Sequence, residues 1–175
     1  MVYDPVMNGA RVLYGVSGLL YQRNILMYDR KTSSLWSQLG MRAVAGPLAG
    51  SSLPILPVEH TTWEDWRSRY PDTTVLSFRT GYSRDYDRDP YREMPLDRRE
   101  AVAVFVGDAV KLYPLSELAK ASQPIQDEVN GSSLRLDYSR QSRRLTIRDD
   151  SGGEVRHFTA FLADLRVFYP EAERY

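Results

Sequence analysis

The chain has 175 residues, 23 of them basic and 23 acidic, with no cysteine and a formal net charge of zero. That length suits one domain with an ordinary core, and the absence of thiols excludes disulfides, thiolate metal sites and cysteine nucleophiles. Balanced charge removes any global field that would steer the chain to nucleic acid or an anionic bilayer, and no apolar run approaches the ~20 residues of a membrane-spanning helix.

In chain order, Asn8-Gly9 marks a tight turn, and the pattern predicts extended segments at residues 10–16, 25–29 and 53–58. Thr61 or Thr62 can then cap a helix, with Glu64 or Asp65 reciprocating as a capping box. Trp63, Trp66 and Tyr70 fall on one side of that helix and Pro71 stops it. A further strand is expected at 74–77. Residues 79–100 have no apolar period and read as a long loop carrying six arginines against six acids. After it come strands at 101–106 and 109–113, joined at Gly107-Asp108. Val102, Val104 and Val106 lie on one face and Ala101, Ala103 and Phe105 on the other, so that strand should be central and buried on both sides. Beyond a short helical turn at 116–120, strands are expected at 134–138, 144–148 and 154–158, with a turn at Gly152-Gly153.

A second helix is expected at 159–169. It aligns with the first without gaps: Leu162 matches Trp63, Asp164 matches Asp65, Leu165 matches Trp66, and both helices end in Tyr-Pro-acid. The predicted fold is therefore α+β, with β-rich antiparallel meander sheets and two main helices in one domain of 1–175. Within it the expectation is an internally duplicated strands-plus-helix unit, at about 1–78 and 101–175, joined by the 79–100 loop.

Several constellations invite chemistry. Gly15-Val16-Ser17-Gly18 resembles a nucleophile elbow, yet Leu19 stands where the second glycine belongs, and the plain reading is a glycine-flanked bulge in which Ser17 satisfies local backbone. Asp85, Asp87 and Asp89 imitate the alternate ligands of a calcium loop, but Pro90 and Leu96 occupy its glycine and glutamate positions, so pairing with Arg84, Arg88 and Arg92 is the simpler expectation. Residues 135–148 hold five arginines against Asp137 alone, which reads as a solvated hairpin face rather than a nucleic-acid site. His60 and His157 lack any metal-ligand spacing, so no metal or cofactor is expected. Tyr28, Asp29, Arg30, Trp36 and Gln38 admit two readings. Either the aromatics are core and Asp29 holds a turn, or the group forms the mouth of a cleft for a sugar or small polar ligand.

The stretch from Gly15 through Arg30, with Ser34-Leu35-Trp36-Ser37-Gln38 and Ala45-Gly46-Pro47-Leu48-Ala49-Gly50, resembles an uncharacterised bacterial family, domain of unknown function 3179. The likeness continues through Thr62-Trp63-Glu64-Asp65-Trp66, Tyr70-Pro71-Asp72-Thr73, residues 84–91 and Lys111-Leu112-Tyr113-Pro114-Leu115. It implies a longer, exported parent protein of the periplasm or cell envelope, of which this chain matches the C-terminal part. On that likeness Met1 falls near the middle of the parent, a cysteine-containing stretch lies upstream of Val2, and this chain is a shortened form or a short gene product without an export signal. The resemblance assigns no activity. The reading that follows is a non-catalytic module binding a small polar ligand or protein partner, or a structural one, with Ser17, Tyr28, Asp29, Arg30, Trp36, Gln38, Arg84, Asp85 and Tyr86 as candidate contacts. The alternative is a cofactor-free hydrolase or isomerase with Asp29 or Asp85 as general base and arginines stabilising an anion.

Overall fold

The computed structural model describes residues 1–7, 9–56, 58–77, 79, 81, 92 and 97–175. Its elements are short strands gathered into several small sheets, with three short helices. A hairpin of β1 (Val6–Met7) and β2 (Ala10–Arg11) leads into a four-stranded antiparallel meander of β3 (Tyr14–Tyr21), β4 (Asn24–Asp29), β5 (Leu35–Ser37) and β6 (Arg42–Ala45). Helix α1 (Trp63–Arg69) follows. Next come β7 (Glu100–Val106), β8 (Ala109–Pro114) and the single turn α2 (Leu115–Leu118), then β9 (Ile125–Val129), β10 (Ser132–Tyr138) and β11 (Leu145–Asp149), which form a three-stranded antiparallel sheet. The chain ends with β12 (His157–Phe161), α3 (Leu162–Phe168) and β13 (Glu173–Arg174). Strands β12 and β8 flank β7 antiparallel, and β13 adds to β8 in parallel.

The expected two-sided burial of β7 holds. Val102 and Val104 pack with Tyr113, Leu134, Leu136 and Ile147 against the three-stranded sheet, while Ala101, Ala103 and Phe105 pack on the other side with Phe158, Leu162 and Leu165. Small side chains alternate with large ones along the strand, which lets a layer approach closely on each face. Strand β10 shows the one-sided version, with Leu134, Leu136 and Tyr138 buried and Arg135 and Asp137 exposed between them, so the arginine-rich hairpin does turn its charges to solvent.

Turn chemistry was legible at Gly107, whose φ of 58° closes a two-residue loop between paired Val106 and Ala109. Gly152 likewise has positive φ, and the Asp149 carboxylate accepts hydrogen bonds from the Ser151 and Gly153 amides to hold that turn. Gly9 has positive φ in the β1–β2 turn, while Asn8 lies outside the described residues.

Other expectations are corrected. Among the described residues, 74–77 form no strand, and Val75 and Leu76 are exposed. Among the described residues of 53–58, the sheet pairing is an isolated bridge between Ile55 and Tyr3. The last strand and helix are shifted: Thr159, Ala160 and Phe161 belong to β12, because their partners Val102, Ala101 and Glu100 continue the ladder, and the helix starts only at Leu162. Strands β5, β6, β9 and β13 went unforeseen.

The two matched helices coincide in length and in their ends. Tyr70 and Tyr169 both leave the helical region, and their amides donate to Trp66 and Leu165 carbonyls respectively. Their surroundings differ, since α1 buries no residue whereas α3 buries Leu162 and Leu165. The sheets before them also differ in strand order, so no duplication of a sheet-plus-helix unit is shown. Among the described residues no helix is long and apolar enough to cross a membrane.

Leu165→Ala, at a fully buried site, should lower unfolding free energy by ~2–5 kcal/mol. Trp63→Ala, at 48% exposure, should cost less than about 1 kcal/mol, and denaturant titrations of the two variants compare them directly.

Candidate functional site

The reverse turn between β4 and β5 must satisfy several backbone donors while it is pressed against the sheet, and Asp29 does this from a fully buried position. One carboxylate oxygen accepts from the amides of Lys31 (3.1 Å) and Thr32 (2.6 Å). The other accepts from the Thr32 hydroxyl (2.7 Å), the Ser34 amide (3.1 Å) and the indole N–H of Trp36 (3.1 Å). Because the single Thr32 hydroxyl proton is committed to Asp29, the 2.7 Å contact between Thr32 Oγ1 and Ser34 Oγ must use the serine proton. Ser34 Oγ in turn accepts from the Leu48 amide at 3.0 Å, which ties in the 46–50 loop.

Glycine positions complete this construction. Gly46 has φ of 92°, and a Cβ there would lie 2.7 Å from Ser34 Cα, so both conformation and space require glycine. Across the first hairpin Gly15 pairs with Tyr28, and a Cβ on Gly15 would meet the Tyr28 ring at 2.6 Å. Trp36 is fully buried and meets Tyr14 edge-on at 5.9 Å between ring centroids. Burial pushes the Asp29 carboxyl up, but the hydrogen bonds from Thr32, Trp36 and Lys31 outweigh it and hold the group down at about 2.

The remaining candidates are placed plainly. Ser17 sits in a β-bulge where register shifts between Val16 and Leu20; its hydroxyl donates to the Leu26 carbonyl (2.7 Å) and accepts from the Leu19 amide (3.1 Å), as the plain reading expected. Tyr28 is half-buried and Arg30 is exposed. Gln38 offers its backbone carbonyl to the Tyr3 hydroxyl at 2.7 Å. Arg84, Asp85 and Tyr86 lie outside the described residues, as do Asp87 and Asp89 of the calcium-like pattern. The structure thus joins Asp29 and Trp36 by a direct hydrogen bond, with Tyr28 next to Asp29 in β4.

The model of one family, described as a protein of unknown function (DUF3179), matches residues 1–168. The chain belongs to this family. The residues that first suggested DUF3179, from Gly15 through Gly50, are those that build the Asp29 turn and the packing around it. No curated protein and no solved structure matches the chain.

Two features escaped sequence reasoning. Helix α1 is capped by the Thr62 hydroxyl, which accepts from the Asp65 amide, but Asp65 does not reciprocate to Thr62. It accepts instead from Thr61 and Arg69, and the Thr62 amide donates to the Ser142 carbonyl at 2.8 Å. Arg69 also pairs with Glu59 and lies over the rings of Trp66 and Tyr70, so the aromatic stripe is organised at the surface rather than in the core. The second feature is β3 itself, the outer strand of its sheet, on which Val16, Leu19 and Leu20 are 72%, 53% and 69% exposed.

Because the folded-state value of Asp29 lies below its usual 3.8, its contribution is complete above about pH 4 and is lost as pH falls through about 2. Asp29→Ala leaves the Trp36 indole, the Thr32 hydroxyl and three amides without their acceptor and should cost ~3 kcal/mol or more. Urea midpoints between pH 2 and pH 7 check both, and the variant should lose less stability than the wild type at the acid end, where Asp65, Asp97, Asp127 and Asp149, also held down, still contribute.

Proposed function

We propose that the chain is a non-catalytic recognition module whose β3 edge receives an extended, uncharged segment of a partner protein as an added strand. The observation that supports this most is the composition of that edge. From Tyr14 to Tyr21 the strand carries no charged side chain, nothing among the described residues pairs with its outer side, and three large apolar side chains stand in solvent. Sheet edges are ordinarily blunted with charge, proline or a bulge. Here the bulge at Val16–Leu20 is the only such device, and it throws successive apolar side chains outward. Main-chain hydrogen bonds would supply affinity, and the exposed Val16 and Leu20 would select the partner's side chains.

Arg23 and Arg30, at the two ends of β4's hairpin connections, are positioned to favour a partner with acidic flanks. Placement in a bacterial envelope protein rests on the family resemblance alone. The alternative of an aspartate-based hydrolase or isomerase loses support at Asp29, since a carboxylate with five committed donors and no exposure is a poor base for a substrate proton.

Panning a displayed random octapeptide library against the chain tests the reading. Enrichment of extended peptides with alternating apolar residues is expected, with binding reduced at least tenfold in the Val16→Lys/Leu20→Lys variant, whose fold is checked by circular dichroism. No enrichment, or binding indifferent to those substitutions, overturns it.

A further inference from the structure

His60 and His157, 97 positions apart, line one cavity of about 40 Å³, room for about three water-sized groups. The convergence has a structural cause. The segment entering α1 is fastened to the β10–β11 turn by the Thr62 amide, which donates to the Ser142 carbonyl at 2.8 Å and sets His60 beside β11. His157 opens β12 opposite Val104, and the Val155 amide before it donates to Ile147 of β11. Both residues therefore line the one cavity beside β11, with Val58, Val102, Leu115 and Leu145 as apolar walls.

The His157 ring is 9% exposed, and its Nδ1 lies 2.7 Å from the Val155 carbonyl. A carbonyl only accepts, so Nδ1 carries the proton and a neutral ring presents its lone pair at Nε2. That nitrogen makes no hydrogen bond among the described residues, although it is not sealed from the cavity. A backbone carbonyl fixing Nδ1–H while Nε2 stays open is the orientation that metal-ligating histidines adopt. His60 is exposed and also makes no hydrogen bond among the described residues. Met1 and Arg143 complete the polar end of the lining, and Arg143 is ion-paired with Glu100 at 2.5 Å.

We infer that this cavity is a binding site for a divalent transition-metal ion held by His157 Nε2 and the His60 imidazole. Among the described residues no group of three or more His, Asp and Glu side chains lies together to hold a metal ion. The remaining positions would therefore be taken by water, giving an open and exchangeable site. Two imidazoles without a carboxylate favour copper, nickel or zinc over magnesium or calcium.

Copper(II) is the probe, added to the full chain and followed by electron paramagnetic resonance and by calorimetry. One equivalent is expected to bind with two equatorial nitrogen couplings. His60→Ala, at an exposed position that leaves the fold intact, should remove one coupling and weaken binding at least tenfold, and His157→Gln should remove the other. Absence of micromolar binding overturns the inference. So does binding unchanged in His60→Ala, as adventitious capture at the chain's amino group would give, and so does stabilisation by phosphate or acetate in place of the metal.

Discussion

Strand β7 is covered on both faces, and the rest of the architecture follows from that requirement. A strand whose valines need one apolar layer and whose alanines and Phe105 need another cannot be served by a single sheet partner. The three-stranded sheet supplies one cover. On the other side α3 supplies the second through Leu162 and Leu165, and the Tyr169 hydroxyl donates to the Leu39 carbonyl, which carries the first meander into the same packing. Tyr21 adds a ring contact to Phe168 at 6.0 Å between centroids. In this way the hairpin that holds the candidate site is anchored to the core by aromatic groups at both of its ends.

Within that hairpin the buried Asp29 carboxylate organises everything near it. Five donors converge on it, and each donor belongs to a residue that the chain must hold in a tight turn or in the core. A buried charge is tolerated only when it is so fully satisfied, because the cost of an uncompensated one exceeds any single hydrogen bond. Gly15 and Gly46 are the complementary half of the device, clearing space for Tyr28 and Ser34. Asp29 and these two glycines therefore build the frame of the first meander.

How far the sequence could be read depended on whether its period carried the burial. The two-sided pattern of Ala101 to Val106 and the turn at Gly107 were legible because period and turn residue agree there. Strand β9 was hidden because its inward-facing middle position is not apolar. Asp127 occupies it, accepting from the Tyr113 hydroxyl at 2.8 Å and from Lys111 at 2.9 Å. Val75 and Leu76 misled in the opposite sense, being apolar residues of a strand-like run that stand exposed and, among the described residues, pair with no strand. At the site, Asp29 as a turn former and Trp36 as core made up one of the two readings that the sequence left open. Their direct hydrogen bond, spanning seven residues of sequence, needed the β4–β5 register to become visible. That His60 and His157 line one cavity is a tertiary event that no spacing rule encodes.

The central claim is that β7 and the Asp29 turn form one frame while the β3 edge is free of it, and native-state hydrogen exchange resolved by residue measures this most directly. The account requires that the amides of Ala103, Val104 and Phe105 and those of Thr32 and Ser34 exchange only through global unfolding, with the same free energy. Amides on the outer side of β3 should exchange at far lower cost. Exchange of the Asp29-bonded amides through a local opening, or outer β3 amides as protected as β7, would contradict the account.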